Sequence, residues 1–145
     1  MREKGSREDP GGNETILFVE DEPTLLELVK LLLEAKGYRV LTATDGLGAV
    51  EVFRQHAGEI SLVLTDLGLP KLDGWQAFLK MRELKPDVAA IVATGYLDRQ
   101  SADTLKDGAS GFVQKPYIPG QILATVRETL DHRVKTHSPI TPPPG

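Results

Sequence analysis

A chain of 145 residues, 40% hydrophobic and 26% charged, can bury one sizeable core but not two, so a single fold must carry the function. It has no cysteine, which excludes disulfides and thiolate metal sites, and no apolar run near the ~20 residues of a membrane-spanning helix. A formal charge of -4, with no segment both basic and aromatic, argues against direct nucleic-acid binding, and the charged start MREKGSREDP offers no secretory signal, leaving a soluble cytoplasmic protein without a membrane partner as the expectation.

Residues 1–13 are rich in glycine and charge and read as a flexible tail. Thr15–Val19 is a first strand-like run, followed by an amphipathic helix from Pro23 to about Lys36. In that helix Leu25, Leu28, Val29 and Leu32 form a stripe, Pro23 suits the first turn and Gly37 the stop. Arg39–Ala43 is a second strand, and Gly46–His56 a helix with Asp45 as its N-cap and Ala49, Val50 and Phe53 on one face. Ile60–Thr65 is a third strand, and Gly74–Leu84 a helix carrying Trp75, Phe78, Leu79 and Arg82 along one side. Val88–Ala93 and Ser110–Gln114 are further strands, separated by an apolar-poor helix at Leu97–Lys106. A fifth helix at Gln121–Arg133 spaces Ile122, Val126 and Leu130 four apart, closing a domain over 14–134. Residues 135–145, with Pro139, Pro142, Pro143 and Pro144, read as a disordered tail.

Strands alternating with helices imply an α/β fold: parallel pairing through right-handed crossovers, with helices on both faces of the sheet. In such sheets the functional crevice lies at the carboxyl ends of the strands. Glu20 and Asp21 end the first strand there, Asp66 the third, Thr94 the fourth and Lys115 the fifth. Three converging carboxylates repel one another unless a cation neutralises them, and oxygen-only ligands suit Mg²⁺, for which Mn²⁺ could substitute. An ammonium and a hydroxyl beside that ion provide what a phosphoryl group needs, and the remaining carboxylate can act as nucleophile to form an acyl phosphate. Each residue alone has a plainer reading. Glu20 and Asp21 would cap the first helix, Asp66 and Thr94 would be turn residues, and Lys115 would be a solvated lysine. Their joint placement favours one site over four coincidences.

The segments ILFVEDE (Ile16–Glu22), LVLTDLGLPKLDGW (Leu62–Trp75), IVATGY (Ile91–Tyr96) and FVQKP (Phe112–Pro116) resemble, in order and spacing, the signature of response-regulator receiver domains in two-component signalling. The resemblance covers Glu14 to Arg133. It implies a flavodoxin-like doubly wound (βα)5 fold with five parallel strands in the order 2-1-3-4-5. It further implies that Asp66 is the phospho-acceptor, that Asp21 binds Mg²⁺ directly, that Glu20 acts through a coordinated water and that the Gly68 carbonyl completes the protein ligands. Lys115 would contact the phosphoryl group, Thr94 and Phe112 would move as the switch pair, and Gly68 and Tyr96 would tune the lifetime of the acyl phosphate. Phe112 lacks the hydroxyl of the commoner tyrosine. The donor implied is a phosphohistidine on a sensor histidine kinase or histidine phosphotransfer domain. The readers implied are a downstream protein, an attached domain or a second copy in a phosphorylation-induced homodimer. Such a domain assists its own phosphorylation and dephosphorylation and is not a conventional turnover enzyme.

No output domain is visible, which leaves a stand-alone regulator or a receiver from a larger hybrid kinase; DLGLPKLDGW and the TGY after the fourth strand resemble receivers attached to hybrid histidine kinases. Three other readings stand beside these. A Mg²⁺-dependent aspartyl phosphatase would place a second aspartate where Gly68 stands. A flavodoxin-like cofactor binder would replace the acidic VEDEPT with a hydroxyl- and glycine-rich loop. A phosphorylation-independent binding module would not need the full acceptor set that this sequence keeps.

Overall fold

All five residues of β1, Thr15–Val19, are buried, as expected of a strand covered on both faces, where the apolar run is continuous rather than alternating. The structure, a computed structural model, describes residues 11–67, 73–95 and 108–137, with side chains through His132. After β1 come α1 (Pro23–Ala35), β2 (Arg39–Ala43), α2 (Gly46–His56), β3 (Ile60–Asp66), α3 (Gly74–Leu84), β4 (Ala89–Thr94), β5 (Gly111–Gln114) and α4 (Pro119–His137). The expected helix at Leu97–Lys106 lies outside the described residues. All four strand pairings are parallel and the sheet order is β2-β1-β3-β4-β5, the doubly wound order expected.

Successive residues of β1 serve opposite faces. Leu17 and Val19 join Val50 and Phe53 of α2 and Trp75 and Phe78 of α3 in one core layer. Ile16 and Phe18 join Val29 and Leu33 of α1 and Ile122, Val126 and Leu130 of α4 in the other. The stripe expected on α1 divides: Val29 is buried against the sheet, whereas Leu28 is 58% exposed and Leu31 51%. These two and Leu25 and Leu32 wall an apolar groove of about 440 Å³, closed on the α4 side by Tyr117, Pro119 and Ile122.

Local chemistry sets the helix ends. Pro23 opens α1, but the cap is Glu22, whose Oε1 accepts the Leu25 N–H at 3.0 Å; Glu20 and Asp21 do not have that role. The helix closes with Gly37 at φ 101 and with the Gly37 and Tyr38 N–H groups on the Glu34 and Leu33 carbonyls, a Schellman arrangement. Asp45 caps α2 through the Gly48 N–H at 2.7 Å, as expected. Asp73 caps α3 through the Trp75 and Gln76 N–H groups at 3.0 and 2.9 Å. Arg82, one helical side along, sets its guanidinium 5.9 Å from the Trp75 ring centroid and 5.6 Å from that of Phe78.

At the edge of the sheet where the strands begin, Arg127 of α4 donates through Nη1 and Nη2 to Glu14 Oε1 and Oε2 at 3.1 and 2.8 Å. It also reaches the Gly11 carbonyl at 3.1 Å, while the Gly12 N–H meets the Lys36 carbonyl at 3.1 Å, so residues just ahead of β1 are fastened to the body. Among the described residues, no helix is long and apolar enough to cross a membrane.

Candidate functional site

The strand register brings the site together. Val19 is level with Thr65, Asp66 with Ala93, and Thr94 with Gln114, so Glu20, Asp66, Thr94 and Lys115 meet at one edge of the sheet. β3 and β4 each run one residue beyond the expected end, making Asp66 and Thr94 the last residues of their strands. The Lys115 N–H donates to the Thr94 carbonyl at 2.9 Å, which ties the ends of β4 and β5 together. The Lys115–Pro116 peptide is cis.

Close approach of α3 to the end of β3 depends on Gly74. A Cβ at that position would overlap the Asp66 carbonyl oxygen and crowd Thr65 Oγ1, and the Thr65 hydroxyl already donates to that carbonyl at 3.1 Å. A residue with no side chain is therefore required where the helix begins.

Glu20, Asp21 and Asp66 each present a carboxylate oxygen within 4.8 Å of the others. Glu20 is fully buried, Asp66 nearly so, and Asp21 exposed. The Lys115 ammonium lies 2.9 Å from Asp66 Oδ2 and 3.4 Å from Glu20 Oε1. Burial works to lower the lysine pKa, but the hydrogen bond and charge of Asp66, followed by those of Glu20, outweigh it and hold the pKa above its usual value. Lys115 therefore stays charged, and one ammonium faces three carboxylates. The excess negative charge and the all-oxygen donor set fit a small divalent cation such as Mg²⁺, which Glu20, Asp21 and Asp66 would hold. Gly68, Tyr96 and the segment 97–106 lie outside the described residues. Thr94 stands at the mouth, half-buried, and Phe112 is half-buried on β5, level with Val92, against the core layer shared with α2 and α3.

Tyr117 was not among the residues expected here. Its hydroxyl donates to Glu20 Oε1 at 3.1 Å, and its ring lies 5.6 Å from the Lys115 ammonium. Burial, reinforced by the Glu20 charge, pushes the phenol pKa far above its ordinary value, so it remains a donor. The only sequence signal is a phenol two residues after Lys115, in a strand-to-helix connection where aromatic groups often lie at the surface.

Known proteins resemble this chain in sequence and fold. The chain is 33% identical over 124 residues to the sensor kinase CckA of Brucella abortus (strain 2308), covering 85% of this chain and 13% of that protein. It is 32% identical over 127 residues to the response regulator GtcR of Aneurinibacillus migulanus, covering 88% of this chain and 52% of that one. The chain thus spans about half of the second relative and a small part of the first. Its fold matches the crystal structure of a response regulator receiver domain protein from Clostridium thermocellum with a TM-score of 0.78 and 29% identity, over 85% of this chain and 98% of that one. A CheY-like receiver domain protein from Methanospirillum hungatei JF-1 matches at 0.77 and 28%, over 86% and 99%. The family model described as the response regulator receiver domain matches residues 16–127, and the chain belongs to that family.

Proposed function

We propose that this receiver domain is a phosphorylation switch in which Asp66 accepts a phosphoryl group from a phosphohistidine of a sensor histidine kinase or histidine phosphotransfer domain. The observation that carries the reading is the 2.9 Å contact between Lys115 and Asp66 inside a cluster of three carboxylates. In the transfer an Asp66 carboxylate oxygen bonds to phosphorus while the phosphorus–nitrogen bond to the donor imidazole breaks, its electron pair staying on nitrogen. Such transfer has a loose transition state, so positioning and charge neutralisation supply most of the catalysis. Mg²⁺ or Mn²⁺, held by Asp21, Asp66, Glu20 through water and the Gly68 carbonyl, would supply the neutralisation that the carboxylates lack. Lys115 takes one phosphoryl oxygen and the Thr94 hydroxyl another. Hydrolysis later returns Asp66 to its carboxylate, at a rate set in part by Gly68 and Tyr96.

The switch follows from differential contact. A phosphoryl group that engages Thr94 and Lys115 favours one arrangement of the tied β4 and β5 ends, and Phe112, on β5, repacks with it. A downstream protein, an attached domain or a second copy then reads the change at β4 and β5. The relatives include both a sensor kinase and a response regulator, so a hybrid-kinase receiver and a separate regulator both suit the reading.

Intact mass after incubation with a small-molecule phosphodonor tests it, comparing parent, Asp66→Ala and a metal-free control. The expected result is a gain of one phosphate that needs both Asp66 and Mg²⁺. No gain in a folded, Mg²⁺-bound chain would overturn the switch and leave a phosphorylation-independent binding module.

A further inference from the structure

Glu20 is fully buried, and its carboxylate is fixed from two sides. Oε2 accepts the Glu22 N–H at 3.1 Å from the turn between β1 and α1. Oε1 accepts the Tyr117 hydroxyl at 3.1 Å from the connection between β5 and α4, with Lys115 at 3.4 Å. Each carboxylate oxygen has two acceptor positions, so Oε2 keeps a lone pair for a cation or its water, and Glu20 presents an oxygen within 4.8 Å of those of Asp21 and Asp66. The Tyr117 ring packs edge-on to Phe18 with centroids 6.0 Å apart and planes at 73°. A phenylalanine ring would fill the same space, so packing does not require the hydroxyl. Its contact is with a carboxylate of the proposed cation site.

Resting on the Mg²⁺ reading above, we propose that Tyr117 is a positioning residue for the cation site, whose hydroxyl holds the Glu20 carboxylate in place beside Asp21 and Asp66. Reach makes the pair specific. An aspartate at position 20 would withdraw its carboxylate by about one carbon–carbon bond, ~1.5 Å, beyond hydrogen-bond distance of the hydroxyl. The tyrosine thus fits the longer acid, and its hydroxyl has a function only while glutamate is there.

A double-mutant cycle on the full 145-residue chain tests this, with Mg²⁺ affinity read by calorimetric titration and folding read by metal-free melting. Removing a hydrogen bond that orients a metal ligand weakens metal binding by about 10–100-fold, and the lower end is expected for Tyr117→Phe because Glu22 and Lys115 still hold Glu20. In a Glu20→Asp background the same substitution should change affinity by less than about two-fold, since the shorter acid no longer meets the hydroxyl. Unchanged or tighter Mg²⁺ binding in Tyr117→Phe would overturn the proposal. So would equal weakening in both backgrounds, which would mean a general loosening of the β5–α4 connection. A parent chain that binds no Mg²⁺ would overturn the cation site and this proposal together, whereas a binding parent with no coupling would remove the role of Tyr117 alone.

Discussion

Lys115, just past β5, reaches across the end of β4 to place its ammonium 2.9 Å from the Asp66 carboxylate at the end of β3. The same ammonium lies 3.4 Å from the buried Glu20, so one side chain moderates two carboxylates at once. Replacing Lys115 by Met should therefore lower metal-free stability by about 2 kcal/mol, less than the 3–5 kcal/mol of a fully enclosed pair because the lysine keeps some solvent contact. Mg²⁺ should restore more stability to the variant than to the parent, since it supplies the missing positive charge. Urea unfolding with and without Mg²⁺ checks this; equal Mg²⁺ effects on both proteins would count against the shared electrostatic role. Phosphorylation of Asp66 should slow markedly in the variant at every Mg²⁺ concentration.

Asp21 gives the opposite sign. It is exposed, adds a third negative charge within 4.8 Å of Glu20 and Asp66, and lies in no salt bridge found among the described residues. Asp21→Asn should raise metal-free stability, by under about 1 kcal/mol given its solvent contact, while weakening Mg²⁺ binding. Melting in chelator and in Mg²⁺ should show the two midpoint curves crossing: the variant higher without metal, the parent higher with it. A variant that melts lower in both conditions would show Asp21 acting as a structural residue.

The Gly74 contact predicts coupling between packing and chemistry. Gly74→Ala would drive a methyl group into the Asp66 carbonyl, which as backbone cannot step aside, and should destabilise by about 1–3 kcal/mol. Because the displaced residue is Asp66 itself, the rate of phosphorylation should fall even at temperatures where the variant is fully folded. Gly58→Ala is the control: nothing lies within 4 Å of a Cβ there, and the change should be neutral or slightly stabilising. Phosphorylation kinetics of the folded Gly74 variant that match the parent would separate α3 placement from the site.

The sequence made legible what local chemistry determines. Pro23, Gly37 and Asp45 announce helix ends through properties of one or two residues, and the apolar run of β1 announces a strand covered on both faces. The clustering of Glu20, Asp21, Asp66 and Lys115 was legible because parallel strands all deliver their last residues to one edge, so strand order converts sequence position directly into proximity. Contacts between side chains far apart in sequence were not. Tyr117 meets Glu20 across 97 positions and Arg127 meets Glu14 across 113, and neither tyrosine nor arginine carries a mark of its partner. The division of the α1 stripe was hidden for a related reason: helical periodicity groups Leu28 with Val29, and only the seating of α1 against the sheet and α4 decides which of them the core covers.

Arg127 and Glu14 supply a pH dependence unconnected with the carboxylate cluster. The forked hydrogen bond from Arg127 holds the Glu14 carboxyl below its ordinary value of 4.5, and burial, which works the other way, does not cancel it. A carboxylate whose folded pKa is depressed contributes stability that is fully present above its unfolded pKa and is lost as pH falls through the folded one. Both side chains keep some solvent contact, about a fifth exposed, so the contribution is set at about 1 kcal/mol at neutral pH. Glu14→Gln should lose that amount at pH 7, and the gap between parent and variant should begin to close near pH 4.5 and narrow further with acid. Lowering the pH protonates the same carboxylate that the substitution removes, so the two perturbations should not add. Denaturant unfolding of both proteins from pH 7 downward measures the gap directly. A constant difference across that range would mean that the variant acts through lost packing rather than through the charge of Glu14.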